Sequence, residues 1–133
     1  MTENFDQKKF ASTARRAVAE GIVLLKNDND ALPLKAGTRI SLFGRSQFNY
    51  YKSGTGSGGM VNTRYVAGVK EAIEADERFR LNESLLGLYE DWLIDHPFNI
   101  GQGWASEPWF QEEMPITDII ADKASKESDI AII

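Results

Sequence analysis

Arg39-Ile40-Ser41-Leu42-Phe43-Gly44 decides how this 133-residue chain is read. Its apolar residues lie between Gly37 and Gly44 and are too few for a helix, which predicts a short, largely buried strand of the kind found at the centre of an α/β sheet. Upstream, Phe10, Ala14, Val18, Ile22 and Leu25 recur at three- and four-residue spacing, which predicts a helix from Asp6 to Asn27. Asn27-Asp28-Asn29-Asp30 closes it with turn formers, and Leu32-Pro33-Leu34 follows as an extended connection. Downstream, Arg45 to Asn62 is an aromatic and glycine-rich loop. Asn62 or Thr63 is the expected cap of a second helix carrying Tyr65 or Val66, Val69 and Ile73. Phe79-Arg80-Leu81 is the next candidate strand. Asn82 caps a predicted helix through Leu93 that presents Leu85, Leu88, Tyr89 and Trp92. His96 to Pro115 is irregular, a helix is expected over about Thr117 to Lys126, and Asp129-Ile130-Ala131-Ile132-Ile133 has the pattern of a buried interior strand. Helices alternating with short apolar strands predict a mainly parallel α/β architecture in a single domain.

The composition excludes several classes of chemistry. Fifteen Lys plus Arg against 20 Asp plus Glu give a net charge of −5, which disfavours nucleic acid and anionic membranes as partners. With no Cys there are no disulfides, thiol nucleophiles or thiolate metal sites, and with His96 as the sole histidine a histidine-based metal cluster is not expected. No apolar run approaches the roughly 20 residues that span a bilayer. Met1-Thr2-Glu3-Asn4-Phe5-Asp6 lacks the basic and apolar regions of a signal peptide, so the expected location is cytoplasmic.

The sharpest local motif is the loop. Gly54, Gly56 and Gly59 satisfy G-x-G-x-x-G, and Glu74 lies where a ribose-binding acid would stand. A dinucleotide site needs those glycines directly at the strand end, whereas here a stretch of other residues follows Gly44 first. Met60-Val61 also stand where a phosphate loop carries Lys-Ser/Thr. Glu107, Glu112 and Glu113 share the irregular segment, but nothing in the spacing sets two of them about 5–10 Å apart as a glycosidase pair requires. Trp104 and Trp109 are candidates for stacking on a sugar or for anchoring a long loop. His96, just before Pro97, reads as a helix-end residue, and Asn82-Glu83-Ser84 reads as a helix cap rather than a glycosylation site.

Taken in order, three signals carry a family resemblance. Ala19-Glu20-Gly21-Ile22-Val23-Leu24-Leu25-Lys26-Asn27, with Ala31-Leu32-Pro33-Leu34, resembles the entry to the α/β-sandwich domain of glycoside hydrolase family three. Arg39 to Gly44 is similar to that domain's first strand. Ser53-Gly54-Thr55-Gly56-Ser57-Gly58-Gly59-Met60-Val61 resembles its glycine/serine loop. The resemblance is strong over about residues 11 to 75. It implies a partial three-layer α/β sandwich with helices on both faces of a mainly parallel sheet, belonging to a retaining β-glucosidase-like exo-glycosidase. In such enzymes an Asp nucleophile sits on a barrel, and a Glu acid/base in many members comes from later in the sandwich domain; neither is carried over to any residue here. No cofactor or metal is implied. Lys52, Ser53, Gly54, Thr55, Gly56, Ser57, Gly58 and Gly59 are the candidate substrate-binding residues, at the rim of a sugar pocket made mainly by the barrel.

The implied partners are a β-linked glucoside and the barrel domain, with a homo-oligomer through an unfinished sheet edge as a further expectation. Most members place the barrel first, so Met1 close to the first helix suggests a parent with the sandwich leading. Two alternatives stay open: a Rossmann-like nucleotide-binding module using Gly54, Gly56 and Gly59, and a stand-alone sugar-binding domain using Tyr50, Tyr51, Trp104 and Trp109.

Overall fold

The computed structural model describes residues 5–50, 62–63, 65–103 and 106–133. They form two compact units, Met1–Leu34 and Lys35–Ile133.

The first unit is built on helix α1, Gln7–Gly21. Asp6 caps it, its carboxylate accepting the backbone N–H groups of Lys8 and Lys9, each at 3.0 Å. The helix stops well before Asn27, the end expected from its periodicity. Gly21 is the poorest helix former short of proline, and the β-branched pair Ile22-Val23 follows, so the backbone is already extended at Ile22. None of the α1 residues is buried, so burial does not offset that local preference. Beyond it, the Asn27 side chain closes a turn: its amide donates to the Leu32 carbonyl at 2.8 Å and its Oδ1 accepts from the Leu32 N–H at 2.9 Å.

The second unit is a three-stranded parallel sheet in the order β2-β1-β3, with β1 at Arg39–Leu42, β2 at Arg80–Leu81 and β3 at Ile130–Ile132. The strand expected at the centre is at the centre: Ile40, Ser41 and Leu42 are all buried. Helices α2 (Val69–Glu74), α3 (Glu83–Asp95) and α4 (Asp118–Glu127) make the crossovers. The step from β1 to β2 and the step from β2 past β1 to β3 run in opposite directions along the sheet. Right-handed crossovers therefore lay α2 on one face and α3 with α4 on the other. Val69 at the start of α2 shares a small cavity with Leu42 and Ile132 on the first face. On the second, Leu85, Tyr89, Ala124 and Met114 form the core, with Phe43, Phe48, Trp92 and Ile120 packed around it. This is the α/β layering implied by the resemblance.

Three expectations change. Helix α2 begins at Val69 with Gly68 at its N-cap and no capping side chain; Asn62 and Thr63 lie outside it. Six residues are too few to nucleate alone, and the helix forms where it lies against β2. In α3, Asn82 caps as expected, but Leu86 is buried while Leu88 is exposed. Two polar anchors set that rotation: the Asn82 amide donates to Ser41 Oγ at 3.0 Å, and Tyr89 Oη accepts from the Gly44 N–H at 2.8 Å. Strand β3, read as buried, is only half-buried at Ile130 and Ile132 with Ile133 fully exposed; among the described residues it forms the expected unfinished sheet edge.

Candidate functional site

The carboxyl end of β1 organises the site. Gly44 adopts φ 93°, a left-handed conformation that suits glycine, and turns the chain into a single 3₁₀ turn at Arg45–Gln47. The Gln47 amide donates back to the carbonyls of Leu42 and Gly44 at 2.9 and 3.0 Å and locks that turn. Arg45 is buried. Its backbone N–H reaches the two Glu113 carboxylate oxygens at 3.1 and 2.9 Å. Its guanidinium donates to the Glu112 carbonyl at 2.7 Å and to the His96 carbonyl at 2.9 Å, while lying 5.4 Å from the centre of the Trp92 ring.

Those two carbonyls are the two ends of the segment 97–111, so one buried arginine ties its neck. A second tie lies one step further out. The Asn99 N–H donates to Gln111 Oε1 and the Gln111 amide donates to the Asn99 carbonyl, both at 2.9 Å. His96 stacks flat on Trp92, with ring centres 4.2 Å apart and planes 6° apart. Its Nδ1 lies 2.9 Å from the Trp92 carbonyl, and because a carbonyl only accepts, Nδ1 carries the hydrogen in this contact. Beside this neck lies a cavity of about 390 Å³ whose lining includes Arg45, Asp95, His96, Pro97, Phe110 and Glu112.

The candidate residues are distributed unevenly. Lys52, Ser53, Gly54, Thr55, Gly56, Ser57, Gly58 and Gly59 lie outside the described residues, as do Tyr51 and Trp104. Tyr50, the last described residue before that loop, is exposed, and Phe48 packs against the core near Tyr89. Trp109 is 93% exposed, so it does not anchor its loop to this unit; Arg45 does that instead. His96 sits at the C-cap of α3, as a helix-end residue should. Glu113 is taken up by the Arg45 N–H, and Glu112 lies 3.9 Å from His96 Nε2. Glu74, the acid a nucleotide site would have needed, pairs with Lys70 at 2.6 Å on α2, and that contact raises the Lys70 pKa. Sequence reasoning missed the Arg45 clamp. Its one local signal is a charged residue placed directly after the glycine that ends a buried strand.

Residues 22–133 match the family model described as the glycosyl hydrolase family 3 C-terminal domain. The chain belongs to glycoside hydrolase family 3. It is 47% identical over 128 residues to a β-glucosidase of Ruminococcus albus, covering 96% of this chain and 13% of that protein. It is 34% identical to β-glucosidase A of Butyrivibrio fibrisolvens, covering 95% of this chain and 15% of that protein. Among solved structures, a β-glucosidase from Paenibacillus barengoltzii superposes with a TM-score of 0.83 at 48% identity, over 96% of this chain and 14% of that one. β-Glucosidase 3B from Thermotoga neapolitana, in complex with α-D-glucose, gives 0.73 at 32% identity, over 95% and 17%. This family 3 chain thus spans about a seventh of the length of the relatives it matches.

Proposed function

We propose that this chain is the opening portion of the sandwich domain of a retaining, β-glucosidase-like exo-glycosidase, and that it completes a sugar pocket made mainly by a barrel domain elsewhere in the same protein. The observation that carries this reading is identity of 47% across nearly the whole chain to a protein described as a β-glucosidase. In this reading the O-glycosidic bond is cleaved by two carboxylates, a nucleophile and an acid/base, that lie outside these 133 residues. Lys52 to Gly59 follow Tyr50 from the carboxyl end of β1, the end of a parallel sheet where ligands bind, and would form the rim of the pocket. Their small side chains let backbone approach a sugar or the barrel surface closely.

The test is hydrolysis of an aryl β-glucoside by the full-length protein, followed by NMR at the anomeric carbon. Cleavage with retained configuration is expected there, and no turnover from the 133-residue chain alone. Turnover by the purified chain that disappears when one of its own carboxylates is replaced would overturn the proposal, as would a full-length protein inert towards β-glucosides.

A further inference from the structure

We propose that the cavity lined by Asp95, His96, Pro97, Phe110 and Glu112 is a carbohydrate subsite, taking a pyranose ring of a β-linked saccharide beyond the residue that is cleaved. The inference rests on the glycosidase reading above and adds a site to it.

The lining matches the chemistry of a neutral, hydroxyl-rich ligand. Phe110 and Pro97 provide apolar surface of the kind that lies against the C–H face of a sugar ring. Asp95 and Glu112 add two carboxylates that accept hydrogen bonds from hydroxyls. Neither is consumed internally: both side chains are exposed, among the described residues the Asp95 carboxylate makes no hydrogen bond or ion pair, and the only contact of the Glu112 carboxylate is the 3.9 Å approach to His96. With Nδ1 engaged by the Trp92 carbonyl, His96 Nε2 is left as a further polar group on the wall.

Other ligand classes fit less well. Two carboxylates repel a phosphate, and the buried Arg45 charge beside them works against a cationic ligand. Among the described residues no three His, Asp or Glu side chains come together to hold a metal ion. A volume of about 390 Å³ suits a small molecule.

The site is also held in shape before any ligand arrives. Arg45 joins the Glu112 and His96 carbonyls, Asn99 and Gln111 make the second tie, and the stack on Trp92 holds the His96 ring that lines the cavity. Preorganisation of this kind lowers the entropy lost on binding. Its position supports the assignment too, since Arg45 stands at the carboxyl end of β1, the end of a parallel sheet where ligands bind.

The experiment uses the full-length enzyme and two substrates, cellotriose and a small aryl β-glucoside, with the variants Phe110→Ala and Asp95→Asn. The readout is the ratio of kcat/KM for cellotriose to that for the aryl glucoside, which cancels general losses of folded protein. A fall in that ratio of about 5-fold or more in both variants is the expected result. An unchanged ratio in Asp95→Asn, a near-isosteric replacement, overturns the subsite whatever Phe110→Ala does. Failure of the unaltered enzyme to cleave the aryl glucoside would instead sink the glycosidase reading, and this proposal with it.

Discussion

Tyr89 on α3 accepts a hydrogen bond at 2.8 Å from the backbone N–H of Gly44, the residue at which β1 turns into the site. The phenol is 1% exposed and packs with Leu85, Met114 and Ala124, so one side chain both fills the core and fixes the turn. Tyr89→Phe keeps the ring and removes the acceptor. A backbone donor left without a partner costs about 1–3 kcal/mol, and urea unfolding should show a loss in that range with an unchanged m-value. Burial, opposed by the Gly44 bond and aided by the Glu113 charge, raises the Tyr89 pKa. The folded state therefore favours the neutral phenol. Its contribution is complete below the ordinary tyrosine pKa of about 10 and is lost as pH rises beyond it. The variant should flatten that alkaline loss, and an equally steep slope in both proteins would contradict the assignment.

Arg45→Lys tests the clamp. A lysine keeps the charge but cannot place two fixed donors on the carbonyls of Glu112 and His96, nor lie as a plane near Trp92. The expected result is faster amide exchange and faster proteolysis within 97–111, while the amides of β1 and α3 keep their protection. Protection unchanged in that segment would show that the Asn99–Gln111 tie suffices.

The parts legible from sequence are those specified by neighbouring residues. The Ile40–Leu42 strand, the Asn82 cap on α3 and the helix expected over about Thr117 to Lys126, found as α4, each depend on a few adjacent positions. The parts that escaped depend on distant ones. The rotation of α3 is set by Tyr89 reaching Gly44, 45 residues away, and the loop neck by Arg45 reaching Glu112, 67 residues away. A periodicity that runs to Leu25 ignores the cost of Gly21-Ile22-Val23 when no residue of the helix is buried, which is why α1 ends early. The cavity had no signature at all, because Asp95 is separated in sequence from Phe110 and Glu112, with which it lines one cavity only in the folded chain.

Gly56→Val addresses the candidate rim. If the backbone there must come close to sugar or barrel, a branched side chain holds it away. In the full-length enzyme kcat/KM for an aryl glucoside should fall about 10-fold or more, equivalent to about 1.4 kcal/mol of transition-state stabilisation. The melting temperature should stay nearly the same, because the effect is local to a loop. Tight binding of ATP or NAD by this chain would point instead to the nucleotide reading, which the Glu74–Lys70 pair already weakens.

The last prediction concerns the outer edge of β3. Strand β1 pairs with β3 on one side, and among the described residues no strand pairs with β3 on the other. Next to that edge an apolar groove of about 530 Å³ is lined by Phe43, Ile116, Ala124, Ile130 and Ile133. Unpaired strand edges beside apolar surface recruit another strand, and a charged side chain on the edge suppresses this. The 133-residue chain by itself should therefore associate in a concentration-dependent way, with sedimentation showing dimers or larger species. Ile133→Lys should shift it towards monomer without lowering its melting temperature, since Ile133 makes no buried contact within the chain. A strictly monomeric parent chain at high concentration, melting cooperatively well above about 65 °C, the upper end for mesophile domains, would show that this edge needs no partner.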